Sequence, residues 1–235
     1  MPATKFKLST PLPHHQYLHI ELFINTSTDQ TEIYLPTWRP GRYEMGDFAK
    51  NVRALKVFDD QNKTLTYTKT SKHCWLVNSK NTKQLRIQYQ YYAAELNAGS
   101  TCVTNELLYI NPVNCLLYSK EQFNNPVELQ FEIAKDWIVA GSMESLKNQS
   151  FKVNSFDDLF DSPMICSPNL VNKRYEVDGY NFQVWFNDIS GIQWDRLIDD
   201  FEKFTKKQIS DFGEFPIKEF QFLIHTPNYP VYHGV

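Results

Sequence analysis

The sequence lacks most of the signatures that would assign a chemistry outright. Its 235 residues hold four cysteines, Cys74, Cys102, Cys115 and Cys166, far apart and with no Cys-x-x-Cys pair. That spacing excludes a structural zinc knuckle and a small disulfide scaffold, and the cysteines read as buried thiols. His-Glu-x-x-His does not occur, so no helix of this sequence presents two imidazoles and a carboxylate to one metal ion. A Gly-x-Ser-x-Gly elbow and a glycine-rich phosphate loop are missing as well. No segment approaches the ~20 apolar residues of a membrane span. The first ten residues alternate lysine with apolar side chains and lack the unbroken apolar run of a secretory signal. The expectation is a soluble, cytoplasmic protein with no membrane contact. Lysine and arginine are scattered, and the formal net charge of −3 supplies no basic field to condense on phosphate, which excludes nucleic acid as a partner. There is no internal repeat and no low-complexity segment.

What is present is a globular composition, 42% hydrophobic and 22% charged, with enough apolar surface to offset the conformational entropy lost on folding. Leu18, Ile20, Leu22 and Ile24 alternate with His19, Glu21 and Phe23, the period of a strand with one buried face. Leu85, Ile87, Tyr89 and Tyr91 repeat the rhythm against Arg86, Gln88 and Gln90, as do Val127, Leu129, Phe131 and Ile133 against Glu128, Gln130 and Glu132. Turn-rich stretches at 58–63 and 124–126 separate them, and no helical period is visible before about residue 190. Residues 1–170 therefore read as a mainly β domain, an antiparallel sandwich or saddle.

The rhythm changes after the proline-marked stretch 161–169, which suits a domain boundary. Tyr180, Phe182, Val184 and Phe186 form a strand, and Trp194, Leu197, Ile198, Phe201 and Phe204 then recur at helical spacing. Ser190 or Gly191 is placed to cap that helix at its start, and Gly213 to end it. Phe220, Phe222 and Ile224 make a further strand. Residues 171–235 thus open an α/β or α+β domain that the sequence does not complete.

Of the six histidines, His14, His15, His19, His73, His225 and His233, only His15 and His19 are four apart, and His19 sits on an alternating strand, so none has a helical partner and they read as surface or hydrogen-bonded side chains. The most unusual local stretch is Leu35-Pro36-Thr37-Trp38-Arg39-Pro40-Gly41-Arg42-Tyr43. Pro40-Gly41 suits the central positions of a type II turn, proline presetting φ at the first and glycine accepting positive φ at the second. The stretch is then either a packed corner with solvated arginines or a cleft mouth where Arg39, Arg42 and Tyr43 contact a peptide. Trp75, Tyr89, Tyr91 and Tyr92 are candidates for a carbohydrate or peptide platform, but most alternate with polar residues, which favours a core face.

From Leu35 through Trp38-Arg39-Pro40-Gly41-Arg42-Tyr43 to Asn51-Val52, the sequence resembles the N-terminal domain of the glycyl aminopeptidase family, zinc metallopeptidases with an appended PDZ domain. Residues 126–140 with Trp137 resemble that family's following strand pair, and residues 156–163 its inter-domain connection. The helix at 194–212, Phe215-Pro216 and residues 220–225 are similar to the start of its thermolysin-like catalytic domain. Tyr232-His233-Gly234-Val235 looks like the beginning of its Gly-x-Glu-His edge strand, with His233 where the family commonly has glycine. The resemblance implies substrate contact from Arg42, Tyr43, His233, Gly234 and Val235, and no catalytic residue or metal ligand within this sequence. It further implies, for the complete enzyme, a zinc-bound water, a glutamate general base and cleavage of the first peptide bond of a peptide substrate, with glycine or alanine preferred. The sequence alone is expected to be inactive and free of catalytic zinc, and to self-associate through an exposed edge at 229–235. A free-standing β-sandwich module for peptide or carbohydrate, and a structural interaction domain, are the rival readings.

The turn assignment is testable at Gly41, where a β-branched side chain forced to positive φ costs on the order of 1 kcal/mol or more. Gly41→Val is expected to lower the melting temperature by calorimetry, and an unchanged melt removes the type II turn.

Overall fold

The computed structural model describes residues 4–39, 42–97, 99–187 and 191–226. In chain order the strands are β1 (Thr4–Ser9), β2 (Tyr17–Asn25), β3 (Gln30–Tyr34), β4 (Val52–Phe58), β5 (Tyr67–Ser71), β6 (Cys74–Asn78), β7 (Gln84–Tyr92), β8 (Cys102–Val103) and β9 (Leu108–Ile110). They continue with β10 (Val127–Glu132), β11 (Ile138–Ala140), β12 (Glu144–Ser145), β13 (Ser150–Val153), β14 (Met164–Ser167), β15 (Leu170–Val177), β16 (Tyr180–Asn187) and β17 (Glu219–His225). Three α-helices, α1 (Pro112–Cys115), α2 (Phe156–Phe160) and α3 (Trp194–Phe212), and three short 3-10 turns, Pro13–His15, Phe48–Asn51 and Lys120–Gln122, complete the described elements. They fall into two compact units. The first runs up to Lys135 and resumes over Met143–Pro163; the second takes Asp136–Ser142 and the residues from Met164 on.

The first unit is built on a seven-stranded sheet in the order β12-β13-β10-β1-β2-β7-β4. Alternation places Leu18, Ile20, Leu22 and Ile24 of β2 beside Leu85, Ile87, Tyr89 and Tyr91 of β7 on one buried face, as the period-two pattern requires. One pairing departs from the antiparallel expectation: β1 lies parallel to β10, Thr4 opposite Val127, because strands so far apart in sequence need no hairpin between them. A second sheet, β3-β6-β5, buries Ile33, Trp75 and Val77.

Two short helices interrupt the segment that reads as all-β. α1 and α2 are single turns, too short to carry a helical period, and both pack inward: Val113, Cys115, Phe156 and Leu159 are buried. α2 starts where the Ser155 hydroxyl accepts the Asp158 N–H at 3.1 Å. Residues 156–160 are therefore a core element of the first unit rather than open connecting chain. Phe156 meets Phe6 edge-on at 6.2 Å between centroids, and Phe123, Tyr118 and Phe160 surround it at 6.3, 6.1 and 5.7 Å.

The second unit contains the β11-β14 pair and the sheet β15-β16-β17. β15 and β16 form an antiparallel hairpin, whereas β16 and β17 are parallel, joined through α3. Trp194, Leu197, Ile198, Phe201 and Ile209 of α3 pack on Tyr175, Phe182, Val184 and Phe186, with Phe220, Phe222 and Ile224 from β17 at the margin. The helix spans the residues its periodicity marks, but its N-cap is Gln193, with no side-chain cap, instead of Gly191; Ser190 lies outside the described residues. Gly213 ends it at φ 85, its N–H on the Ile209 carbonyl at 2.8 Å.

All four cysteines are buried free thiols. Burial pushes Cys115 up from 9.0 to about 12, against a lowering hydrogen bond from Thr101, and Cys102 up to about 11. A thiol raised in the folded state ionises first in the unfolded chain. Its stabilisation is therefore complete below pH ~9 and is lost as pH rises through the folded value. Urea unfolding at pH 7, 9, 10 and 11 is expected to show constant stability to about pH 9 and a decline above it; a flat profile contradicts the burial of these thiols.

Candidate functional site

The segment that leaves β3 is anchored by Leu35, which is buried and donates its N–H to the His73 carbonyl at 3.0 Å. Beyond it the chain fastens to itself. The Trp38 indole N–H donates to the Arg42 carbonyl at 2.5 Å, the Arg42 N–H to the Arg39 carbonyl at 3.3 Å and the Gly46 N–H to the Thr37 carbonyl at 2.6 Å. The type II turn expected at Pro40-Gly41 lies outside the described residues.

Between these fastenings the loop exposes apolar side chains. Trp38 is 48% exposed, Met45 72%, and Tyr43 is fully in solvent. Arg42 is exposed too and meets Glu44 at 3.7 Å, an arrangement worth ~0–1 kcal/mol in water. Arg39 behaves differently. Its guanidinium lies against Gly99, where a Cβ would stand 2.6 Å from one terminal nitrogen, 3.0 Å from Cζ and 3.1 Å from Nε. Its Nε is buried and has no hydrogen-bond partner. Gly99 is itself held: the fully buried Asn114 donates Nδ2 to its carbonyl at 2.5 Å, and its N–H donates to Asn97 Oδ1 at 2.9 Å. Burial raises the Tyr109 hydroxyl to about 12, against the opposing charge of Arg39.

His233, Gly234 and Val235 lie outside the described residues. Trp75, Tyr89 and Tyr91 are buried, so of the four aromatics considered as a platform only Tyr92, 43% exposed, faces solvent. The Tyr89 hydroxyl is built into the interior, donating to the Cys115 carbonyl at 2.8 Å and accepting the Leu117 N–H at 3.1 Å. Among the histidines, burial and then the charge of Arg53 hold His19 below its ordinary value. His225 meets Asn187 at 3.1 Å. Among the described residues no group of three or more His, Cys, Asp or Glu side chains stands together to hold a metal. The sequence reading did not single out Gly99, Asn97, Asn114 or Tyr109. They lie 58 residues or more from Arg39 in the chain, and nothing local marks them.

Residues 5–168 match the family model of the Peptidase M61 N-terminal domain. The chain belongs to that family. The M61 chain is similar in structure to an aminopeptidase N family protein from Idiomarina loihiensis, with TM-score 0.86 and 23% identity, covering 94% of this chain and 39% of that one. Legionella pneumophila aminopeptidase A aligns at TM-score 0.50 and 7% identity over 94% of this chain and 28% of its own. An M1 zinc metallopeptidase from Deinococcus radiodurans aligns at 0.49 and 11%, over 94% and 55%. At 23% identity the likeness to the Idiomarina protein is one of fold. No curated protein matches the sequence. The M61 chain spans about two fifths of the Idiomarina protein, 39%.

A Cβ on Gly46 would stand 2.3 Å from the Phe48 ring, so the ring must swing away from beneath the loop. Gly46→Ala is expected to cost about 1–3 kcal/mol, the range of local overpacking. Urea denaturation measures it, and an unchanged midpoint means that Phe48 does not support the loop.

Proposed function

We propose that this sequence is the N-terminal portion of a zinc-dependent aminopeptidase that removes N-terminal glycine or alanine from peptides, in the manner of the glycyl aminopeptidases. Its domains divide near residue 170, and it acts in the cytoplasm. The observation that carries the reading is the M61 N-terminal domain over residues 5–168, followed by the strand–helix–strand sheet β16-α3-β17 that begins a further unit. The loop bearing Trp38, Arg42 and Tyr43 is the proposed substrate-facing wall, since it exposes aromatic rings and a cation on a backbone tied at 37–46. His233, Gly234 and Val235 are proposed as further substrate contacts.

The described residues do not fit zinc: they offer no cluster of donors. The ligands of the metal are proposed to lie in residues outside this sequence. The partner of the complete enzyme is a peptide with a free amino terminus. The edge at 229–235, through which the isolated chain is proposed to self-associate, lies outside the described residues.

The test compares this chain with the longer polypeptide extended from its C-terminal end. The extended protein is expected to retain one zinc per chain by elemental analysis and to hydrolyse glycyl and alanyl anilides in a chelator-sensitive way. This chain alone is expected to do neither. Stoichiometric zinc and hydrolysis in the short chain, or no hydrolysis in the long one, contradict the proposal.

A further inference from the structure

We propose that Arg39 is a carboxylate-binding residue, taking a carboxylate of the peptide substrate against the Gly99 shelf; the aminopeptidase reading enters only in naming the peptide as its source.

The carrying observation is a charge without a partner. Every other arginine of the sequence has one. Arg42 meets Glu44 at 3.7 Å, Arg53 donates to Gln90 at 2.9 Å and Arg86 pairs with Glu21 at 2.9 Å. Arg174 donates to Asn172 at 3.1 Å, and Arg196 meets Asp200 at 3.8 Å. Arg39 alone donates no hydrogen bond and makes no ion pair among the described residues, although it is half-buried and its Nε is fully covered. A guanidinium does not shed its proton at any ordinary pH, so burial cannot neutralise it. Taking such a group out of water without a counter-charge is costly unless a partner arrives.

The geometry says which partner. Seen from the Cβ position of Gly99, Cζ at 3.0 Å is nearer than Nε at 3.1 Å. An in-plane approach between Nε and a terminal nitrogen would leave Cζ farther than both, so the Cβ position lies out of the guanidinium plane, over the edge between those two nitrogens, and the in-plane directions of the N–H groups are not the ones Gly99 takes. The shelf is fixed by Asn114 and Asn97, which sets the plane beforehand. Tyr109 cannot be the counter-charge, since burial keeps its phenol protonated at neutral pH. A planar fork held in a set plane matches a carboxylate bidentately.

The chain itself is titrated by NMR, following the Arg39 Nε–H signal, assigned by its loss in Arg39→Gln. The probes are Ala-Ala-Ala, its C-terminal amide and the amide of Ala-Glu-Ala. Saturable movement with the free acid but not with its amide is the expected result. Movement with amidated Ala-Glu-Ala shows that an acidic side chain serves as the source as well. Gly99→Ala is the decisive variant: Gly99 is not at positive φ, and the added Cβ meets only the flexible end of Arg39. It is expected to weaken the response about tenfold, as loss of a bidentate ionic contact would, with the melting temperature kept. Arg39→Lys, which retains the charge and loses the fork, has no such signal and is titrated by calorimetry beside the unsubstituted chain; it is expected to bind about tenfold more weakly and decides the matter if Gly99→Ala does not fold. Equal responses to acid and amide, no response to any probe, or full binding by the variants overturn the proposal. If carboxylates leave Arg39 unmoved while the extended protein cleaves peptides, this inference alone falls. If they bind while the extended protein is inert, the aminopeptidase reading alone falls.

Discussion

The reciprocal backbone bridge between Tyr34 and Tyr118, each N–H donating to the other's carbonyl at 2.8 Å, is the constraint on which the functional loop depends. It closes β3 at the residue before Leu35 and fixes the direction in which residues 35–46 leave the sheet. From the other side, Tyr118 belongs to the aromatic cluster of Phe123, Phe156 and Phe160, with centroids 5.6–6.1 Å from its own. A loop that leaves its tryptophan, tyrosine and methionine exposed has little hydrophobic burial of its own beyond Leu35. Its position is inherited from that cluster, through two backbone hydrogen bonds that no side-chain substitution removes directly.

The same cluster explains why α2 is helical at all. Five residues cannot nucleate a stable helix in isolation. Ser155 supplies one cap, Phe156 packs on Phe6 of β1 and on Tyr118 and Phe123, and Leu159 is buried, so tertiary packing provides what length does not. The second unit works by the opposite logic. α3 is long, amphipathic and closed by Gly213, and its exposed face carries the i, i+4 pairs Arg196–Asp200, Asp199–Lys203 and Lys207–Asp211. Such exposed pairs are screened by water and add little, so the aromatic face against β15–β17 does most of the holding.

Legibility in the sequence followed the same division. β2, β7 and β10 were readable because one face of each is buried and alternation records that directly; α3 was readable to its last residue because its period persists over five turns. The parallel pairing of β1 with β10 left no local trace, since Thr4 and Val127 meet only in the fold. α1 and α2 were hidden by their length, although Ser155 with Asp158 three residues on is the kind of cap signal a single turn can offer. At the site, the loop at 35–46 stood out by composition, but the distinction among its arginines did not. Arg39 and Arg42 are chemically identical in sequence, and what separates them is Gly99, 60 residues away.

That separation has an energetic meaning. An arginine in water, like Arg42, has its charge solvated whether or not Glu44 is near, so its pairing changes little. A guanidinium laid against backbone loses hydration on one face and at Nε, and any interaction it then makes is strengthened by the lower local dielectric, as is the cost of making none. A bulky residue at 99 would push Arg39 back toward water and erase the difference. The absence of a side chain at that position is therefore what turns one of two neighbouring arginines from a solvated charge into a held one, and a held, unpaired charge on a tethered loop is the form in which a protein surface can wait for an anion.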